Sequence, residues 1–199
     1  MSIKDITYDA ELDALIFSPR RSDQKSTIVP LRSQTTFTKI VGSSSIGGSF
    51  PTLQKAFDAA VPGDSILVTR GYALTASGTE VCSVSNVVVQ FNPGVVIDAS
   101  LLNGVYALQL SGSYIYVERP LYLFSGAITA LGGIKFTGSD NEVTKASLKV
   151  TSGTITNAYN IDATAARSFL TGSVNKTGGT VTNLLINLGT DSDASVRGG

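Results

Sequence analysis

After Asp64 the chain becomes a succession of short β-rich runs, and their spacing constrains the fold more than any other feature. Runs starting at Ile66, Val87 and Leu108 lie 21 residues apart, and Val95 and Ile115 lie 20 apart. Ile134-Lys135-Phe136, Leu148-Lys149-Val150 and Val181 to Leu188 continue the series, separated by Gly, Ser, Asn and Pro. A return every 20 or so residues fits one coil of a solenoid. Short strands with frequent turns equally describe a sandwich or barrel, so periodicity alone leaves both open. In a solenoid, Ile66, Val68, Val87, Val89, Leu108 and Leu110 are expected to point into one stacked core, with successive coils about 4.8 Å apart.

The first 40 residues follow other rules. They hold six basic and five acidic residues. Short apolar islands, Ile6 to Tyr8, Leu12 to Phe17 and Ile28 to Leu31, are broken by Pro19 and Pro30, with no sustained period. Such a segment buries too little of its own surface to order alone and reads as an extended arm that lies on a partner. Its expected anchors are Ile6, Leu12, Leu15, Ile16 and Phe17, with Arg20, Arg21 and Arg32 making rim contacts. Gly42 to Ser49 is composed like a flexible linker. The expected organisation is an arm and linker over 1–48, a folded body over 49–190 and a polar tail over 191–199.

One helix is announced after the linker. Ser49 or Thr52 suits the N-cap and Pro51 the first turn; Leu53, Ala56, Phe57 and Ala60 fall at i, i+3, i+4 and i+7 on one apolar stripe. Pro62-Gly63 ends it. Pro51 to Ala60, then Pro62-Gly63-Asp64-Ser65-Ile66-Leu67-Val68, then Arg70-Gly71-Tyr72, resembles the entry to pectate-lyase-like right-handed parallel β-helices, in which a short helix plugs the first coil. The stretch from Pro51 to Tyr72 carries the resemblance directly, and loosely compatible repeats run on to Leu188. It implies an all-β chain: a short right-handed parallel β-helix capped by one N-terminal helix and preceded by an extended N-terminal arm. Lyases, hydrolases and inert structural proteins all use this architecture, so the activity is not implied. Short members with an N-terminal arm resemble bacteriophage virion proteins, of the capsid decoration or tailspike type.

The residue inventory narrows the chemistry. There is no histidine, and the single cysteine, Cys82, has no intrachain partner for a disulfide. The usual metal clusters and a catalytic imidazole are thereby excluded. Fifteen basic residues balance fifteen acidic ones, which gives no broad attraction to nucleic acid or an anionic membrane. No apolar run approaches the ~20 residues of a transmembrane helix, and Met1 to Ile6 does not read as a secretory signal. Ser22 to Lys25, Ser139 to Asn141 and Lys176 to Gly178 follow the order of the boxes of penicillin-recognising serine enzymes. The β-branched stretch after Lys25 and the missing helical domain argue against that chemistry. Among the acids between residues 64 and 190, only Asp140 and Glu142 are close in sequence, in a turn context that favours solvated loop residues over a glycosidase pair.

These readings converge on an expectation: a non-enzymatic virion structural protein, a capsid decoration or cement protein attached through its arm to capsid or tail proteins. No catalytic, cofactor or metal site is expected. The chain is expected to be assembled in the host cytoplasm as a homotrimer, with Tyr106, Tyr114, Tyr116, Tyr122 and Phe124 on the subunit face. A short tailspike or fibre module that binds host glycan is the alternative, and a small carbohydrate-active enzyme the third.

Overall fold

The computed structural model describes residues 3–9, 14–19, 27–30, 37–42, 50–69 and 78–199, the first three segments as strand backbone only. The chain divides into two compact units, Met1–Thr36 and Phe37–Gly199. In the first, β1 (Ile3–Asp9), β2 (Ala14–Pro19) and β3 (Thr27–Pro30) pair antiparallel in that order, with Ile6 opposite Phe17 and Ile16 opposite Ile28. The segment expected as an extended arm therefore contains a small sheet.

The second unit begins at Phe37, where Ser49 was expected, and opens with β4 (Lys39–Val41). So short a strand, paired with the distant Ile66 to Val68, leaves little trace in sequence. Val41 also bridges to Phe50, which joins the two ends of the Gly/Ser segment. Next comes α1 (Leu53–Asp58), capped by Thr52, whose Oγ1 accepts from Lys55 N at 3.1 Å. Leu53, Ala56, Phe57 and Ala60 are buried, the stripe expected from their spacing, and α1 touches β4 and the strand β6 introduced below.

From there the unit is an all-β parallel solenoid of about six turns. In chain order its strands are β5 (Ser65–Val68), β6 (Glu80–Cys82), β7 (Val87–Phe91), β8 (Ile97–Asp98), β9 (Tyr106–Leu110), β10 (Ile115–Glu118), β11 (Leu121–Phe124), β12 (Thr129–Phe136), β13 (Glu142–Val150), β14 (Thr154–Ile161), β15 (Phe169–Lys176), β16 (Thr180–Asn187) and β17 (Asp193–Gly198). One sheet runs β4-β5-β7-β10-β13-β15-β17, with β8 and β11 joining through β13; the other runs β6-β9-β12-β14-β16. β17 is thus a strand of the body, where a polar tail was expected.

The coil is longer than the sequence spacing implies. Hydrogen-bonded partners on neighbouring coils lie 26 residues apart for Ile115 and Asn141, 27 for Asp140 and Arg167, and 28 for Ser85 and Ser113. The shorter series splices two sheets: Ile66 and Val87 belong to β5 and β7 of one, Leu108 to β9 of the other. Ile66 pairs with Val89 rather than Val87, and Val95 follows the Pro93-Gly94 turn, outside any strand. All six expected core residues are nonetheless buried in one core. Strand parity places them there, since Val87, Val89 and Phe91 point in while Val88 and Gln90 do not.

Stacking turns apolar positions into columns. Ile66, Val89, Val117, Val143 and Leu170 form one, and Leu108, Ile134 and Tyr159 another. Each is essentially sealed from solvent. The corners stack too. Asn86, Tyr114, Asp140, Arg167 and Asp191 all have positive φ, and each of the first four donates its backbone N–H to a carbonyl of the next coil's turn. Five side chains other than glycine hold the left-handed conformation because the turn above fixes the one below.

Candidate functional site

Two concavities lie on the outer face of the β10-β13-β15-β17 sheet, where it bends. Arg119 and Lys145, one coil apart, adopt positive φ of 59° and 55° and turn the chain at that bend. Arg119 N donates to Thr144 O at 2.9 Å and Lys145 N to Thr171 Oγ1 at 3.0 Å, which fixes each corner on the next coil. Two cavities result, of about 270 and 460 Å3, which share Lys145 and Ser147 and so form one groove across successive coils.

Three cations line the groove: Arg119, Lys145 and Arg197. One carboxylate answers them, with Glu118 Oε1 2.8 Å from Arg119 Nη2 and 3.2 Å from Lys145 Nζ. Hydroxyls repeat along the floor, where Ser147 pairs with Ser173 and Ser173 with Arg197, while Thr171 pairs with Ser195. A cleft with excess positive charge and hydroxyls at the coil rise of about 4.8 Å suits an extended anionic ligand. Sequence reasoning missed these residues because cation and hydroxyl recur once per coil, a period hidden by the shorter cross-sheet spacing of the runs.

The described acids are mostly committed to the architecture. Asp64 accepts from Thr38 Oγ1, Lys39 Nζ and Val61 N at 2.6 to 2.7 Å, which ties β4 to the start of β5. Lys39 above all, with Thr38 and Val61, holds its carboxyl down at about 2. Asp98 accepts from Ser100 N, and Asp162 pairs with Lys135. Asp140 receives a two-pronged Arg167 at 2.7 Å, in the turn setting that its sequence context implies. Asn141 between them is buried: its Nδ2 donates to Gly112 O and Gly138 O, and its Oδ1 accepts from Ile115 N. Ser139 to Asn141 is thereby a structural corner and Lys176 ends β15, while Ser22 to Lys25 lies outside the described residues.

Glu80 is the buried exception. It is buried, its Oε2 has no hydrogen-bond partner, and burial pushes its carboxyl up to about 7; the Gln54 backbone opposes that and the Asp58 charge adds to it. Burial likewise raises the Cys82 thiol to about 11 and leaves it a poor nucleophile. Among the described residues no group of three or more Cys, Asp or Glu side chains is placed to hold a metal.

The expected subunit-face aromatics scatter. Tyr122 and Phe124 are fully buried in the core, which withdraws them from any subunit face, because alternation in β11 turns Leu121 and Leu123 outward instead. Tyr106 covers Gly132 of the next coil, where a Cβ would meet its ring at 2.4 Å; its hydroxyl accepts from Asn157 and Asn160. Tyr116 reaches Thr144 Oγ1 at 3.2 Å. Tyr114 alone of the five is largely exposed, at 62 %. Of the expected attachment residues, Ile6 lies in β1 and Leu15, Ile16 and Phe17 in β2, while Leu12, Arg20, Arg21 and Arg32 lie outside the described residues, as do Arg70, Gly71 and Tyr72.

No family model, curated protein or solved structure matches this chain.

Proposed function

We propose that this chain is a non-enzymatic structural protein of a bacteriophage virion, a capsid decoration or cement protein whose N-terminal segment, residues 1–48, is the point of attachment. The observation that carries the reading is the division at Thr36/Phe37, which separates a self-contained solenoid from a small sheet. The resemblance of residues 51–72 to β-helix entries supports it, as does the commitment of most described acids to turns and ion pairs. In this reading the coils wind right-handed, the general hand of parallel crossovers, and α1 covers the apolar start of the first coil.

Cosedimentation with virions of the phage that encodes the chain tests it. The full chain should pellet with particles, and a chain lacking residues 1–36 should keep the circular dichroism of the solenoid yet stay in the supernatant. Full occupancy by the truncated chain, or absence of the full chain from virions, overturns the reading. The groove favours a second one, a tailspike or fibre module that binds anionic host glycan. A chain absent from virions but retained on an acidic-glycan array, and released by Lys145→Glu, would establish it.

A further inference from the structure

We propose that β17 pairs edge to edge with β17 of a second copy, antiparallel about a two-fold axis at Ser195. β17 is the last strand of its sheet, and no described strand lies beyond it. Its ladder to β15 runs six residues without a bulge, and it contains no proline. Natural sheet edges are commonly blunted by such devices, by cover or by charge. Here only Asp193 and Arg197 serve.

The hydrogen-bonding groups fix what this edge accepts. Asp193 N donates to Ser168 O, and Gly199 N to Val174 O, both toward β15. By strand parity the odd-numbered residues direct their backbone groups inward to β15, and Ala194, Val196 and Gly198 present theirs at the free edge. The side chains alternate as well: Asp193, Ser195 and Arg197 are exposed, while Ala194 and Val196 are half-buried at the end of the core.

One self-pairing register satisfies both patterns. With Ser195 opposite its own copy, Ala194 faces Val196 of the second copy as a hydrogen-bonded pair and both strands exchange their free N–H and C=O groups. The same register sets Asp193 opposite Arg197 of the copy, twice by symmetry, on one face. The charges that guard the edge against other strands neutralise each other only in this arrangement. Ser195 and its copy form a non-hydrogen-bonded pair, with Cα atoms about 4.5 Å apart, within reach of a disulfide.

Cross-linking and charge reversal in the full chain test this. Under mild oxidation Ser195→Cys should give a covalent dimer on a non-reducing gel. Thr171→Cys, one coil inward on the same row, should not; buried Cys82 adds no background. In sedimentation, Arg197→Asp should weaken association at least tenfold, and adding Asp193→Arg should restore it, because the swapped charges again face each other. A monomeric wild type, a Ser195→Cys chain that fails to cross-link, or a double variant no tighter than Arg197→Asp would overturn the proposal. The cross-link reads the register even if the charge variants fold poorly.

Discussion

The middle coils and the last two are built on one ladder but filled differently. Through β12 and β14 the inward columns are aliphatic and aromatic: Leu108, Ile134 and Tyr159 in one, Leu110, Phe136 and Ile161 in the next, all sealed. One coil later these columns reach Leu185 and Asn187, and in the other sheet the columns of Val150, Leu170 and Val174 reach Lys176, Ala194 and Gly198, none of these five buried. The corner column changes sooner, from Val87 and Ile115 to Asn141, Ser168 and Ser192. Burial in a solenoid comes from the coil on either side, so an end coil holds half of what an interior coil holds. Small and polar residues accordingly replace large apolar ones toward the C-terminal end.

That difference should be largest for matched truncations in one column. Ile134→Ala is expected to destabilise the solenoid by about 3–4 kcal/mol and Leu185→Ala by about 1 kcal/mol, read as shifts in urea midpoint. Equal losses would mean that the last coil is covered. Next is Asn141, where the columns turn polar. Asn141→Ala leaves Ile115 N–H and two glycine carbonyls without their partner and should cost about 3 kcal/mol, with Asn141→Leu no better. A leucine that matched wild type would show the polar corner to be dispensable.

The smallest effect concerns the other end of the Leu108 column, which begins at Glu80. Its carboxyl is raised from 4.5 to about 7 by burial, so the folded state holds the proton more tightly than the unfolded one. The contribution of Glu80 to stability is therefore full below pH 4.5 and declines as pH rises to about 7. Glu80→Gln should match wild type near pH 4.5 and exceed it by about 2 kcal/mol at about pH 8. A difference between the two chains that does not change with pH across that range would show that Glu80 ionises as readily in the fold as in the unfolded chain.

Much of this was legible from local pattern. The α1 stripe follows from residue spacing, while of the two caps that the sequence allowed, Ser49 and Thr52, the helix takes Thr52 and leaves Pro51 before it; parity within Val87 to Phe91 assigns inside and outside correctly. Parity was equally available for Leu121 to Phe124, where it places Tyr122 and Phe124 in the core; reading the aromatics as a cluster obscured it. The coil length was hidden because runs from two sheets alternate along the chain at unequal distances. The groove was hidden for a related reason: Arg119 and Lys145 meet only through stacked corners, whose left-handed conformation no residue type there announces.

The parallel ladder also decides how the solenoid bears load. Hydrogen bonds between coils run along the stacking direction, so tension in that direction reaches the coils in series, whereas tension along the strands shears many bonds at once. Under axial pull on a single chain, an end coil of the described residues, held from one side only, yields first. Each detached coil frees a length of chain like the 27 residues from Asp140 to Arg167, about 90 Å of slack. Such a body gives way in steps along one direction and resists as a unit across it.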